Sequence, residues 1–162
     1  MKDKTKKIIL SSILGGAALL ICTLTPSSAM AGGAGERIEG VWMSDVTIKD
    51  CSSGTIFATF HGLGTFIRGG ALLQTNNMNP ALASPSEGHW EYQGQGQYTA
   101  SFQFFRFDST GTWTGLQKVT RDIQLARDGT TFTSTIAFTT YDVNGNVIAS
   151  GCGTEAASRV VD

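Results

Sequence analysis

Histidine is almost missing from this sequence: His61 and His89 are the only two in 162 residues. Neither stands at the spacing of a metal-ligand motif, so no metal and no cofactor is expected. Gly-x-Ser-x-Gly, His-Glu-x-x-His and the phosphate-binding loop are lacking too. That removes the motif-borne grounds for a serine hydrolase, a zinc protease or a nucleotide-binding fold. Proline occurs three times and charged residues make up 15%, whereas Gly and Thr are abundant. Strands joined by tight turns suit that composition better than helices. Positive charge is short as well. Lys2, Lys4, Lys6 and Lys7 hold four of the twelve basic residues and Asp3 one of the thirteen acids, so the chain beyond them is net acidic by four. It lacks the basic face that neutralises phosphates, so no nucleic-acid partner is expected, nor a polybasic membrane anchor.

Long apolar runs are equally scarce, and the one present opens the chain. Residues 2–7 are basic, residues 8–24 apolar, Pro26 breaks the run, and Ala29-Met30-Ala31 offers small residues for cleavage before Gly32. These are the three parts of a secretory signal peptide, residues 1–31. Ser27-Ser28-Ala29 is a second cleavage site. The run contains Ser11 and Ser12 and falls short of the ~20 apolar residues of a membrane span. Cys22 follows Leu19-Leu20-Ile21, an order like a lipoprotein box, but Ile21 is bulky where that box has a small residue. The expectation is an exported protein, periplasmic or secreted, with no membrane attachment after cleavage. Cys51 and Cys152 then remain, and an even pair in an exported chain reads as a disulfide. Closing a loop of about 100 residues is worth roughly 4–5 kcal/mol by loop-closure entropy.

Beyond a glycine-rich lead-in, residues 32–162 read as one domain of strand-like runs. The runs cover 40–49, 55–68, 71–74, 88–93, 97–108, 112–126, 131–142 and 147–160, with no helical period. Residues 75–86, rich in Asn, Pro, Ser and Ala, read as one long loop, either a lid or binding loop or a surface insertion. The short Gly-marked links force neighbouring runs to pair antiparallel. A meander of seven or eight strands avoids exposed edges by closing into a barrel. A Cys51–Cys152 bond would fasten the first strand to the last.

Alternation sorts the faces. Residues 97–108 present Tyr98, Ala100, Phe102, Phe104 and Arg106 on one side. Residues 131–142 set Phe132, Ser134, Ile136 and Phe138 against a face of threonines. Trp113, Gly115, Gln117, Val119, Arg121, Ile123 and Leu125 share a face, as do Trp90 and Tyr92. Eight strands enclose either a filled core or a cavity for one small ligand. For the cavity, Trp90, Tyr92, Phe102, Phe104, Phe132 and Phe138 are the candidate walls and Arg121 the polar anchor. An inward Arg106 or Arg121 needs a partner: Glu91, Asp122 or an anionic ligand. Glu87, His89 and Glu91 fall on one strand face, as an acid/base cluster or as a wet outer surface.

Gly40-Val41-Trp42 resembles the Gly-x-Trp signature that opens the first strand of lipocalins and related calycins. The resemblance implies an eight-stranded up-and-down barrel closed at one end by Trp42, with a basic residue near the end of the last strand, Arg159 or as its substitute Arg121, packed across it by a cation–π contact. The Thr-Asp-Tyr pattern and the helix after the barrel are missing, which points to a short calycin-like form. The plan is also similar to small periplasmic protease inhibitors built as disulfide-tied barrels. Three readings follow: a barrel binding a small, partly apolar or anionic ligand, a protein-binding module such as a protease inhibitor, and a barrel cyclase or isomerase with an inward titratable group.

Overall fold

The computed structural model describes residues 37–161; the expected signal peptide lies outside them. Eight strands follow one another: β1 (Gly40–Lys49), β2 (Ile56–Phe66), β3 (Ala71–Asn76), β4 (Ser86–Gly94), β5 (Gln97–Phe107), β6 (Trp113–Leu125), β7 (Thr131–Tyr141) and β8 (Val147–Arg159). Each pairs antiparallel with the next. β8 returns to β1, so the sheet is a closed barrel. The closing seam runs from Trp42 opposite Arg159 to Lys49 opposite Cys152, and the Cys51–Cys152 disulfide caps it. The all-β, disulfide-tied barrel read from the sequence is therefore the fold, and its architecture is consistent with a calycin-like barrel.

Period-two alternation decides what is inside. Trp42, Ser44 and Val46 of β1, Tyr98, Ala100 and Phe102 of β5, and Phe132, Ser134 and Ile136 of β7 are all buried. Thr131, Thr133 and Thr135 face water between them. The turns sort into two ends. Residues 67–70, Gln95-Gly96 and residues 126–130 lie at the end where Gly40 and Arg159 meet, here the closed end. Residues 50–55, 77–85, 108–112 and 142–146 lie at the other, open end. Gln95 and Gly96 both adopt positive φ, +52° and +74°, as a two-residue hairpin of matching twist requires.

The closed half is solidly packed. Phe132 packs tilted against Trp42 at 4.9 Å and edge-to-face against Phe66 at 6.0 Å, centroid to centroid. Trp42, Phe66, Ile38 and Leu72 are the most completely buried large side chains. Burying a side chain of this kind contributes about 1.5–3 kcal/mol. Trp42 Nε1 donates to the Ile38 carbonyl at 2.8 Å. The Arg159 guanidinium lies 4.3 Å from the Trp42 ring and donates to the carbonyls of Gly129, Glu39 and Arg37. This contact explains the glycine of the Gly-x-Trp triplet. Gly40 sits at φ +124°, and a Cβ there would come within 2.7 Å of Arg159 Nη1.

Two readings are corrected. The long loop is shorter than 75–86: β3 runs on to Asn76, β4 begins at Ser86, and Pro80–Leu82 forms a 3-10 turn capped by the Asn79 side chain. The loop is stitched to β5, with Ser84 N donating to Phe105 O and Phe105 N to Ser84 Oγ, both at 3.0 Å. Trp113 does not share the inward face of β6. A register shift at Arg106/Phe107 and a positive φ at Gly115 reverse the alternation. Trp113 is 47% exposed and packs edge-on against the outward Phe105.

Candidate functional site: a cavity in the open half of the barrel

Above the packed closed half the interior is not filled. A cavity of about 200 Å³ remains, walled by Phe60, Phe102, Phe104, Ile136 and Phe138, with Gln74, Asn76, Ser86, Gln117 and Arg121 among them. Met78, from the β3–β4 loop, adds to its wall. At about 30 Å³ of liquid volume per water, this is the space of about seven waters, and a slightly smaller apolar cavity holds a benzene ring.

The small residues of β8 shape the site. A Cβ at Gly151 would overlap the Phe138 ring, and one at Gly153 would approach Thr47 O at 2.7 Å and Ile48 Cδ1 at 3.1 Å. Gly151 thus leaves room for the Phe138 ring of the neighbouring β7, and Gly153 for the close approach of β1. Glu155 lies two residues further along β8 and is 4% exposed. Arg121, 3% exposed, donates from Nη1 to Glu155 Oε1 at 2.9 Å and Oε2 at 2.8 Å. Ser134 Oγ donates to Glu155 Oε2 at 2.8 Å. The guanidinium carbon lies 4.9 Å from the Phe102 ring centroid and 5.8 Å from that of Phe66. Arg121 is thus neutralised by Glu155 and flanked by aromatic rings.

Its hydrogen bonding is only half used. Among the described residues, Arg121 Nε and Nη2 are buried without a hydrogen-bond partner, as is Gln74 Oε1. Nε–H and the adjacent Nη2–H form the side-on edge of a guanidinium, two parallel donors that match a planar acceptor. An unmade bond of a buried group costs about 1–3 kcal/mol, so both donors favour any acceptor, water or ligand, that comes within reach.

The residues expected from the sequence divide between the two halves. Phe102, Phe104, Arg121 and Phe138 line the cavity. Phe132 lies under Trp42 in the closed end. Trp90 packs on Phe66 and Tyr98 and donates to Ile67 O at 3.0 Å. Tyr92 is 53% exposed, stacked on Tyr98. The partner of Arg121 is neither Glu91 nor Asp122, both of which face outward. It is Glu155, which the sequence reading passed over. The signal was there: Glu155 is a lone acid on a face otherwise made of Gly153 and Ala157. His61 and His89 both stand on the outer surface. His61 Nδ1 lies 2.7 Å from Asp45 Oδ1, with both side chains largely in water. Neither histidine reaches the cavity. No group of three or more His, Cys, Asp or Glu among the described residues could hold a metal.

Three hairpins of the open end carry a recurring device. Asp108 accepts from Thr110 N and Thr112 N at 2.8 and 3.0 Å, Asp142 from Asn144 N and Asn146 N at 2.9 and 2.8 Å, and Asp50 from Ser52 N and Ser53 N at 3.0 and 2.7 Å. The Ser52 hydroxyl, followed by the Ser53 amide, holds the Asp50 carboxyl far below its ordinary range. The Thr110 hydroxyl and the Asn146 side chain lead the same lowering for Asp108 and Asp142.

The fold and site together define an eight-stranded, disulfide-tied antiparallel barrel with one packed end and one hollow end. No family model, no curated protein and no solved structure matches the chain.

Proposed function

We propose that this chain is an exported, lipocalin-like barrel that binds a small, partly apolar molecule in its open-half cavity. The observation that carries the reading is the lining of the cavity: its aromatic walls are joined by a buried Arg121 that Glu155 already neutralises and that still has two unpaired donors. An apolar chamber with a few convergent polar groups is the usual form of a small-ligand site. The Trp42–Arg159 stack supports the calycin kinship. The disulfide fits an oxidising compartment. Amide chemical shifts of residues 32–162, recorded as benzene is added, test the binding. Shifts confined to residues such as Val119, Ile136 and Phe138 are expected, and silence of all cavity amides overturns the reading. Export is checked by sequencing the N-terminus of the protein recovered from a bacterial periplasm or medium, where Gly32 is expected.

A second reading, a protein-binding module, draws on the outer surface. Ile56 and Phe57 at the start of β2 are 62% and 67% exposed, and Val147 and Ile148 at the start of β8 are 62% and 57% exposed. β1 ends at Lys49, level with Ile56 and Cys152, and Val147 and Ile148 run beyond it alongside β7; exposed apolar groups such as these are what a partner surface needs. Substituting Phe57→Ser and Ile148→Ser together would abolish capture of a partner under this reading and leave benzene binding unchanged.

A further inference from the structure

The charge balance of the cavity lining specifies the ligand further. This step rests on the cavity-binding reading above. Arg121 is permanently positive and Glu155 sits on its Nη1 with both oxygens, so the pair is neutral as a unit. Glu155 also accepts from Ser134 Oγ. A carboxylate placed on the free side-on edge would put a second anion beside one guanidinium, both side chains of the existing pair being no more than 2% exposed. An uncompensated charge in such surroundings is strongly disfavoured. A neutral acceptor meets the same two donors without that penalty. The third unmatched atom, Gln74 Oε1, is an acceptor and calls for a donor on the ligand. The open end repeats the sign: Asp50, Asp108 and Asp142 stand in its hairpins, offset in part by Lys49 and Arg106.

We propose that the cavity takes a neutral, ring-sized molecule bearing a carbonyl-type acceptor and an N–H or O–H donor, a carboxamide being the simplest case, in preference to a carboxylate. The ring fills the space between Phe60, Phe102, Phe104 and Phe138. Arg121 Nε, Arg121 Nη2 and Gln74 Oε1 each expose less than 1 Å², so a small turn of these side chains brings the Nε–Nη2 edge to the ligand's carbonyl oxygen and Gln74 Oε1 to its donor.

Three probes of matched size test this on the protein lacking residues 1–31: benzamide, benzoate and toluene. They are titrated at neutral pH while the Arg121 Nε–H resonance and the cavity amides are followed. The expected result is that benzamide shifts Arg121 Nε–H and binds about tenfold or more tighter than benzoate, a gap of about 1.4 kcal/mol. Benzoate binding as tightly as benzamide overturns the charge argument and leaves the cavity reading standing. Toluene equalling benzamide overturns the hydrogen-bonding part alone. Silence of all three overturns cavity binding itself. Glu155→Gln keeps an acceptor for Nη1 but makes the lining net positive, so benzoate should overtake benzamide in that variant. If that variant does not fold, Arg121→Lys keeps a cation opposite Glu155 without the side-on edge, and benzamide affinity should drop to that of toluene.

Discussion

Glu155 has three hydrogen bonds to its carboxylate, two from Arg121 Nη1 and one from Ser134 Oγ. Removing one partner of a buried ion pair leaves the other charge stranded, which costs about 3–5 kcal/mol. Glu155→Ala should therefore lower the unfolding free energy by that amount in urea denaturation. The joint change Arg121→Met with Glu155→Leu should recover most of it, because apolar residues of similar size replace a buried pair at little or no cost. A joint variant no more stable than Glu155→Ala would show that the loss is one of packing shape instead. Arg121 could be noticed in the sequence because it interrupts an apolar face. Its partner could not be chosen there. Glu155 lies 34 positions away, and only the registers of β6 on β7 and β7 on β8 bring the two together through Ile136, Ser134 and Gly153. Glu91 and Asp122 are nearer in sequence but fall on the other parity of their strands.

At the scale of the element, hairpins and bulges decide what the alternation pattern means. Strand positions were legible because Gly-marked turns and period-two burial agree. β1 spans the run read for it, and β5 to β8 end within a residue or so of theirs. Trp113 was misplaced because a bulge changes parity without leaving a strong mark in composition. The cue was Gly115, whose φ is +133° and whose Cβ would overlap Tyr141 O. The same logic makes Gly88 irreplaceable. A Cβ there would overlap Ser101 O and approach the Phe102 Cα within about 2.5 Å, mostly backbone that cannot yield. Gly88→Ala should cost more than the ~1 kcal/mol typical of point substitutions, read as a fall in thermal midpoint. The aspartate turns predict a pH effect. Their carboxyl groups are depressed in the folded chain, so the stability they add is present above the unfolded aspartate value of about 3.9. It is lost as pH falls through the lower folded values. Urea midpoints should hold down to about pH 4 and decline below it. Asp142→Asn should flatten part of that decline, and an unchanged slope would show that other carboxyl groups drive it.

For the whole molecule, the two ends of the barrel do different work, and the seam ties them. The closed end joins the Trp42 stack, the Arg159 clamp and the aromatic cluster. The open end trades core for cavity and is held by the disulfide and the aspartate turns. The lipocalin-like triplet pointed to the first of these divisions, but composition could not say how far the packed half extends. That depends on which aromatic meets which, and Trp90 and Phe132 went to the closed end while Phe104 and Phe138 went to the cavity. The seam allows a clear separation of roles. Eight residue pairs join β1 to β8 from Trp42–Arg159 to Lys49–Cys152, and the disulfide adds a covalent link across 101 positions. The pairs define the closed barrel in the folded state, whereas the link acts mainly by restricting the unfolded chain. Cys51→Ser with Cys152→Ser should then leave the β-sheet circular dichroism and the cavity amide shifts in place at room temperature. It should lower the thermal midpoint by roughly 10–20 °C, from about 4–5 kcal/mol of lost loop-closure entropy in a domain of this size. Hydrogen exchange carries the argument further. If the link acts only on the unfolded chain, seam amides that exchange through global unfolding, those beside Trp42 and Arg159 included, should all lose protection by the same amount, about 4–5 kcal/mol. A further loss confined to the amides of β1 and β8 near Cys51 and Cys152 would mean that the covalent link, and not the strand pairing alone, holds the folded barrel shut at its open end.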